Sequence, residues 1–188
     1  MGLDLYLARH GATEWSENGR HTGSTDLPLL DEGEEQARRL GRYLQGRHFD
    51  AVYTSDLSRA RRTAALAGFA LAKPTPLLRE FDYGDYEGLT TAEIRRRRPD
   101  WEIYHDGCPG GESPERVYRR ARDFLRMVEE HTGAVIAFSH GHFLRALAAA
   151  WTDLAVTAAS RLALDPATVS ILRDGDHGRV VQEWNFTA

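Results

Sequence analysis

The sequence predicts an α/β fold, a three-layer α/β/α sandwich with a mostly parallel central sheet. Apolar runs alternate along the chain with segments whose apolar residues recur every three or four positions, and the run Ala134–Phe138 is apolar throughout. Strands that alternate with helices are typical of a sheet covered on both faces, and an uninterrupted apolar strand is typical of its parallel centre. At 188 residues, the chain is expected to form one domain over residues 1–188.

The first elements are defined by one apolar run and one helix signal. Leu3–Ala8 predicts a buried strand. Trp15–Leu30 is rich in Gly, Ser, Thr and Asn and is interpreted as a long loop, which inside a compact domain usually has a function. Asp31 is the expected N-cap of a helix, because Glu34 completes a capping-box pattern, and this helix is expected to run to about Gln45.

The next elements are shorter and lead into a region of different character. Ala51–Thr54 predicts a second strand, Ser58–Leu66 a second helix, and Thr75–Leu78 a short third strand. Residues 81–114 are interrupted by glycine and proline, which leaves room for one or two short helices. We expect residues 84–114 to form a lid over the sheet edge and the active site.

The last elements return to a regular alternation of helix and strand. The pattern predicts a long amphipathic helix, a central strand, a further helix and a closing hairpin, at residues 113–128, 134–138, 142–151, and 168–172 with 180–184. Ser113 is the expected start of the long helix. The turn of the hairpin is expected at Asp174–Gly178.

Composition and charge exclude several classes of protein. A net charge of −4 argues against a general nucleic-acid binder, which would carry a surplus of basic residues. No apolar run reaches the ~18 residues of a membrane span, and no leader segment is recognised at the N-terminus. The single cysteine, Cys108, fits a reducing compartment and predicts a cytoplasmic protein. Cys108 is expected to be a small buried residue, with a nucleophile as the alternative.

The first chemical signal is Arg9-His10-Gly11, directly after the first strand. Open α/β sheets bind ligands at the carboxyl ends of their strands. An arginine binds a phosphate group through two parallel hydrogen bonds, and a histidine at this place is able to attack the phosphorus atom. Because such tripeptides also arise by chance, the prediction depends on the other parts of a phosphoryl-transfer site.

Two further signals follow the second and third strands. Arg59 lies in the first turn of a helix, where its charge adds to the positive N-terminal end of the helix. Glu80, Asp82 and Glu87 then offer carboxyl groups near a strand end, and each of them could donate a proton to a leaving oxygen. Glu80 is favoured because it is closest to the strand.

The fourth signal is Ser139-His140-Gly141-His142, after the central strand. Two strand-end histidines on different strands, each followed by glycine, are hard to explain by packing. The alternative is a metal site at His140 and His142. Since no carboxylate or cysteine lies beside them at the usual ligand spacing, no metal is expected.

Together these signals resemble the histidine phosphatase superfamily, in the branch that includes cofactor-dependent phosphoglycerate mutases and related small phosphatases. The matching pieces occur in the order found in that family, from residue 7 to about residue 145. They are Leu7-Ala8-Arg9-His10-Gly11, His21-Thr22-Gly23, Leu57-Ser58-Arg59-Ala60, the stretch Glu80–Gly88, and Ser139-His140-Gly141-His142.

The resemblance implies a phosphoglycerate mutase-like fold and a complete site. The implied site residues are the catalytic His10, Glu80, Arg9, Arg59 and His140 and the substrate-binding Ser16, Thr22, Gly23, Gly141 and His142. His10 would be the phosphorylated nucleophile, and Glu80 would be the proton donor. Arg9, Arg59 and a protonated His140 would hold the phosphoryl oxygens and supply the positive charge, so that no metal or cofactor is needed.

The chain departs from the family pattern at two points. Many members have asparagine directly after the loop tryptophan, whereas Ser16 follows Trp15 here, so any phosphate contact at this place would come from a hydroxyl group. True mutases carry more chain between the acid and the second histidine. The short stretch Gly84–Pro114 is therefore expected to admit water.

We therefore predict a metal-independent phosphatase that hydrolyses small phosphomonoesters, sugar phosphates or phosphoglycerate-like metabolites, through a phosphohistidine intermediate. The first alternative is a phosphoglycerate mutase, and the second is a non-catalytic domain that binds a phosphorylated ligand. The expected partner is a small phosphorylated metabolite, with no nucleic acid and no membrane. The run Arg95–Arg98 is interpreted as a solvated helix face, with contact to a second anionic group of a sugar bisphosphate as the alternative.

Overall fold

A computed structural model describes residues 2–175 and 178–187 of the chain. The strands are β1 (Asp4–Arg9), β2 (Ala51–Ser55), β3 (Lys73–Thr75), β4 (Ala134–Ser139), β5 (Thr168–Gly175) and β6 (Gly178–Thr187). The helices are α1 (Glu14–Asn18), α2 (Asp31–Leu44), α3 (Ser58–Leu66), α4 (Thr91–Arg97), α5 (Ile103–Asp106), α6 (Pro114–Val128) and α7 (Gly141–Trp151). Short 3-10 turns cover Pro76–Leu78, Gly84–Tyr86 and Val156–Arg161.

The strands form one sheet in the order β3-β2-β4-β1-β5-β6. β1, β2, β3 and β4 run parallel, whereas β5 is antiparallel to β1 and β6 is antiparallel to β5. The predicted mostly parallel sheet with a closing antiparallel hairpin is therefore confirmed. Part of the predicted hairpin turn, residues 176–177, lies outside the described residues.

Both faces of the sheet are covered, because successive side chains of a strand point to opposite faces. On β1, Tyr6 and Ala8 pack with α2 and α3, in a cluster that includes Leu40 of α2. Leu5 and Leu7 instead belong to the larger cluster built with α6 and α7. This arrangement gives the three layers that the sequence predicted.

The long helix α6 begins where the sequence predicted. The Ser113 hydroxyl accepts the backbone N–H of Arg116, and Pro114 occupies the first helical position, where its missing N–H costs nothing. Val117 and Phe124 lie on a fully buried stripe. The amphipathic pattern therefore specified both the start and the inner face of this helix.

Three predictions for local structure were wrong. Residues 14–18 are helix rather than loop: Thr13 caps α1, whose five residues bury no side chain and so leave no apolar period in the sequence. Leu30, without a side-chain cap, precedes α2, so Asp31 is the first helical residue instead of the N-cap. The third strand ends at Thr75, because the fixed φ of Pro76 begins a 3-10 turn there.

The stretch predicted as a lid contains two short helices, α4 and α5, as expected. Trp101 and Tyr104 anchor it in the core beside α6 and α7. No helix in the described part of the chain is long and apolar enough to cross a membrane.

Candidate active site

The sheet brings the two strand-end histidines together. Arg9 at the end of β1 is the register partner of Ser139 at the end of β4, so His10 and His140 leave the sheet side by side. The backbone N–H of His10 donates to the Ser139 carbonyl at 3.0 Å, and the centroids of the two imidazole rings are 5.1 Å apart. The carboxyl end of the parallel strands is therefore the place where these side chains meet.

The glycine after each histidine permits close packing. A Cβ atom on Gly11 would lie 2.2 Å from the carbonyl oxygen of Gly33 at the start of α2. A Cβ atom on Gly141 would lie 3.3 Å from the guanidinium carbon of Arg9. Gly11 is thus required for the turn after β1 to pass the helix, and Gly141 leaves room for Arg9.

His10 presents an unprotonated nitrogen to the site. Its Nδ1 lies 2.7 Å from the Gly11 carbonyl oxygen. Since a carbonyl oxygen only accepts hydrogen bonds, Nδ1 carries the proton and Nε2 has the lone pair. Burial, together with the charges of Arg59 and Arg9, lowers the pKa of His10 well below its usual value. The ring is therefore neutral, as a nucleophile requires.

His140 is the reverse tautomer. The Nε–H of Arg59 donates to Nδ1 of His140 at 3.2 Å, so the proton of this ring is on Nε2. Burial, with Arg59 and His10 as further causes, lowers the pKa of His140 well below its usual value. The expectation of a protonated His140 is therefore wrong for the free protein: the ring is neutral and acts as a hydrogen-bond donor through Nε2.

Arg59 lies beneath the site. Its guanidinium is fully buried and donates to the carbonyl oxygens of Thr22, Gly23 and Thr25 as well as to His140. It therefore fixes the loop after α1 and the tautomer of His140 at the same time. Burial lowers the pKa of Arg59 from its usual value.

Two buried donors in the site have no partner among the described residues. They are Nε of Arg9 and Nε2 of His140. Arg9 is held by a hydrogen bond from Nη1 to the Leu164 carbonyl oxygen. A buried N–H group without an acceptor is costly, so these two atoms indicate that an anion completes the site.

The Glu80 carboxylate is held by the start of α7. Oε1 accepts the backbone N–H groups of Phe81 and Phe143, both at 2.8 Å, and Oε2 accepts that of His142 at 3.1 Å. A carboxylate at a helix N-terminus has favourable contacts with the unpaired N–H groups there. These contacts fix the carboxylate at the wall of the cavity next to His10.

The two rival carboxylates are placed elsewhere. Glu87 accepts the backbone N–H groups of Gly23 and Thr25, so it fastens a loop. Asp82 accepts the N–H of Gly84 and is exposed. Of these three carboxylates, Glu80 is the one that lines the cavity beside His10, and its role as the proton donor stays a prediction.

A cavity of about 270 Å³ opens in front of the strand ends. It brings together these predicted site residues: Arg9, His10, Ser16, Thr22, Glu80, Gly141 and His142. Arg59 and His140 lie behind its wall, fully buried. Gly23 is also outside the cavity, and its N–H is bound to Glu87.

Two of the predicted substrate contacts already have partners in the protein. The Ser16 hydroxyl accepts the N–H of Thr13 and donates its hydrogen to the Thr13 carbonyl oxygen, which caps α1. The Thr22 hydroxyl donates to the carbonyl oxygen of Arg20 at 3.3 Å. Ser16 and Thr22 therefore face the cavity with their hydroxyl hydrogens engaged.

An aromatic cluster forms the far wall of the cavity. The Tyr83 hydroxyl lies 2.6 Å from Nδ1 of His142, and burial raises the pKa of Tyr83 well above its usual value. Tyr83 thus keeps its proton and donates it to Nδ1, which leaves the proton of His142 on Nε2. His21 stacks on Tyr83 with ring centroids 4.7 Å apart, and Trp101 supports His21 from below.

Sequence reasoning missed five residues that line the cavity: Gly19, Arg20, Thr91, Arg145 and Leu164. Arg145 follows Gly141 by four positions on α7, so helical spacing from the motif would have found it. Arg20 and Thr91 meet only through the fold, where Arg20 and Thr90 form an isolated β-bridge.

The stretch predicted as a lid is hydrogen-bonded to the loop after α1. The N–H of His21 donates to the Leu89 carbonyl, and the N–H of Gly88 donates to the His21 carbonyl, both at 2.9 Å. The guanidinium of Arg20 donates to the Gly88 carbonyl and pairs with Glu93. Residues 88–93 are therefore fixed to the loop that lines the cavity.

The remaining sequence interpretations are resolved by burial. Arg95–Arg98 is exposed and does not line the cavity, so its interpretation as a solvated face is confirmed. Cys108 is buried, and burial raises its pKa to about 12, which fits a packing residue better than a nucleophile. Within the described residues, no group of three or more His, Cys, Asp or Glu side chains is arranged to bind a metal ion.

This fold and site define a known class of enzyme. The profile of the histidine phosphatase superfamily (branch 1) matches residues 5–187, and the chain belongs to that superfamily. It is a phosphatase, an enzyme that acts on phosphate esters.

Particular relatives support the same class. A Mycobacterium tuberculosis protein named acid phosphatase is 43% identical over 171 residues, which cover 89% of this chain and 84% of that protein. The sedoheptulose 1,7-bisphosphatase of Saccharomyces cerevisiae is 35% identical, over 80% of this chain and 68% of its own length. The solved structure of a Mycobacterium tuberculosis open reading frame product superposes with a TM-score of 0.96 and 40% identity, covering 100% of this chain and 99% of that one. Proteins named phosphoglycerate mutases also occur among the relatives.

Proposed function

We propose that the protein hydrolyses small phosphomonoesters in two steps, through a phosphoryl group carried on Nε2 of His10. The observation that carries this proposal is the pair of buried, unpartnered donors, Arg9 Nε and His140 Nε2, on the two side chains next to His10. A transferring phosphoryl group spreads negative charge over its oxygens, and these donors satisfy an anion of this kind.

In the first step, the lone pair on His10 Nε2 attacks phosphorus, and the bond from phosphorus to the alcohol oxygen breaks. Glu80, in its protonated form, gives its proton to that oxygen, so that a neutral alcohol leaves. The Nδ1–H of His10 stays on the Gly11 carbonyl, which holds the ring and supports the positive charge that it gains. Arg59 lies behind the cavity wall and contributes by holding His140 and the loop of residues 22–25 in place through hydrogen bonds.

In the second step, water takes the place of the alcohol. Glu80, now ionised, accepts a proton from the water as its oxygen attacks phosphorus, and the bond to His10 Nε2 breaks. Inorganic phosphate leaves, and both side chains return to their starting states. One carboxyl group serves both steps because leaving alcohol and attacking water occupy the same position in line with His10.

The rest of the cavity is suited to the alcohol part of a sugar phosphate. Arg145 lines it and offers positive charge to a second anionic group, whereas the charge of Arg20 is shared with Glu93. His142 Nε2 offers a neutral donor to a hydroxyl or carbonyl oxygen. This favours sugar bisphosphates and phosphorylated sugar acids as substrates, in line with the bisphosphatase among the relatives. A screen of phosphorylated metabolites tests this class. A cytoplasmic location, a single domain over residues 1–188 and the absence of a bound cofactor remain predictions.

The experiment that tests the two-step route is to trap the intermediate. Brief mixing with substrate labelled on the phosphate, followed by an alkaline quench, should leave acid-labile label on the peptide that contains His10. The His10→Ala protein should carry no label and show no turnover, whereas His48→Ala, at an exposed position, should behave like wild type. Turnover of His10→Ala at the wild-type rate would refute the assignment. Stoichiometric binding of phosphoesters by the wild type without any turnover would favour the non-catalytic alternative.

The mutase alternative is decided by the product. With 3-phosphoglycerate, a phosphatase releases inorganic phosphate steadily and needs no bisphosphoglycerate primer. A mutase has to keep water away from phosphohistidine while the intermediate reorients. Conversion to 2-phosphoglycerate that far outruns phosphate release would establish mutase activity and would leave the site residues in their roles.

A further inference from the structure

Arg120, on α6, holds the segment that carries Glu80. Residues 79–83 have no regular secondary structure, so no helix or strand fixes the backbone of the proposed acid. Arg120 supplies this support: its guanidinium donates to the carbonyl oxygens of Leu77, Arg79 and Glu80, at 3.1, 2.6 and 3.1 Å. Its side chain is 16% exposed.

Glu112, the last acidic residue before α6, completes the support. Arg120 pairs with it through two bonds, from Nε to Oε1 at 3.0 Å and from Nη2 to Oε2 at 2.7 Å. Glu112 Oε2 also accepts the N–H of Asp82, and the N–H of Glu112 donates to the Asp82 carbonyl at 2.8 Å. The backbone is thus held just before and just after Glu80.

The same guanidinium contacts the residue that binds the Glu80 carboxylate. The guanidinium carbon of Arg120 lies 4.5 Å from the centroid of the Phe143 ring, and the Phe143 N–H donates to Glu80 Oε1 at 2.8 Å. Arg120 therefore fixes both the backbone of the acid and the start of α7, to which its carboxylate is bound. A planar guanidinium with five donors is suited to this task, whereas a lysine is not.

We propose that Arg120, paired with Glu112, is a positioning residue for the proton transfer by Glu80. The inference rests on the proposed function. Arg120 does not line the cavity and touches no substrate. It acts by keeping the carboxyl group within hydrogen-bond reach of the leaving oxygen, where a displacement of about 1 Å is enough to cost much of the rate.

The test compares leaving groups of different basicity. A general acid matters most when the leaving alcohol is a strong base, so loss of positioning should hurt an alkyl phosphate more than a nitrophenyl phosphate. For Arg120→Met we expect kcat/KM, which reports on the steps up to departure of the alcohol, to fall at least about tenfold further for the alkyl phosphate than for the nitrophenyl phosphate, which follows the loss typical of a displaced acid. Arg120→Lys should show a smaller leaving-group dependence than Arg120→Met but a larger one than wild type. Lysine keeps the positive charge but lacks the planar guanidinium with its five hydrogen-bond donors.

The matched control is Arg122→Met, on the same helix and half exposed, where it pairs with Asp153. It should leave both rates unchanged. Glu80→Gln separates the inference from the function on which it rests. If Glu80→Gln itself shows no leaving-group dependence, the assignment of the acid fails. If Glu80→Gln shows the dependence and Arg120→Met lowers kcat/KM equally for both substrates, the positioning role is refuted.

A second variant keeps the test open if Arg120→Met does not fold. Glu112→Gln removes the charge of the partner and leaves Arg120 with its three carbonyl contacts, so a smaller leaving-group dependence of the same sign is expected. The rate at which phosphohistidine forms from nitrophenyl phosphate should stay at the wild-type value in this variant, because that step needs the acid least. Equal loss with both substrates would count against the positioning role here as well.

Discussion

The burial of His21 predicts a measurable part of the pH dependence of stability. This imidazole is 8% exposed, is stacked on Tyr83 and lies 3.3 Å from the Thr91 hydroxyl through Nε2. Burial lowers its pKa to about 4 from an ordinary value of 6.5. As the pH falls below 6.5, His21 therefore becomes protonated in the unfolded chain, whereas in the folded protein it stays neutral until the pH is near 4.

The sign and size follow from that difference. Because the folded-state pKa is the lower one, the stability that neutral His21 contributes is present above pH 6.5 and is lost as the pH falls towards 4. With these two values, the free energy of unfolding should fall by about 2 kcal/mol between pH 7.5 and pH 5 on account of His21 alone. Desolvation also lowers the pKa values of the buried His10 and His140 and of the half-buried His142, which add to the fall in the same direction.

The assay is urea unfolding at pH 7.5 and pH 5, followed by tryptophan fluorescence. His21→Phe keeps the aromatic packing and removes the titrating group, so its fall in stability should be smaller than that of wild type by about 2 kcal/mol. Its lost contact with Thr91 shifts stability equally at both pH values. Leu71→Ala, at an exposed position without a titrating group, should keep the wild-type pH dependence. An unchanged pH dependence in His21→Phe would refute the reasoning.

Three further predictions concern packing, the thiol and the lid. Gly11→Ala should lower the free energy of unfolding in urea by about 1–3 kcal/mol, since its Cβ would meet the Gly33 carbonyl oxygen at 2.2 Å. Gly175→Ala is the control, because its Cβ would have its nearest contact at 3.5 Å. Equal stability of the two variants would contradict the close approach of Gly11 to Gly33. Cys108 should stay unlabelled by iodoacetamide in the native protein and react after unfolding, and rapid native labelling would contradict its burial. Thr90→Ala should cost about 1 kcal/mol, because it removes the capping box of α4, and unfolding by urea measures this loss.

Sequence reasoning found the parts of the site that are local to a motif. Arg9-His10-Gly11 and His140-Gly141 were found because each combines a strand end, a reactive side chain and a glycine within a few residues. The preference for Glu80 among three carboxylates rested on its distance from a strand end, and the structure places it beside the cavity. The register of β1 and β4 brings the two motifs together, since neighbouring parallel strands end at the same edge of the sheet.

What the sequence could not provide depends on contacts between distant residues. The neutral state of His140 follows from the Nε–H of Arg59, 81 positions away. The Ser16 hydroxyl is engaged in capping a helix that is too short to show a period. Arg20 reaches the cavity because its loop is bound to residues 88–90, and no pattern in the sequence predicts that pairing.

The half-buried Arg9 and the buried Arg59 suit the site for opposite tasks. A nucleophilic histidine has to be neutral, yet a transferring phosphoryl group has to be surrounded by positive charge. Arg9 and Arg59 meet both needs, because their charges lower the pKa of His10 and so keep its Nε2 lone pair free before substrate arrives. When a phosphoryl dianion enters the cavity, Arg9 lies at its wall and Arg59 acts from behind it, paired with Asp26, so the cost of holding Arg9 without an ion-pair partner is offset at that moment. The free site is therefore less stable than a filled one, and binding of the anion is the step that satisfies its unpartnered donors.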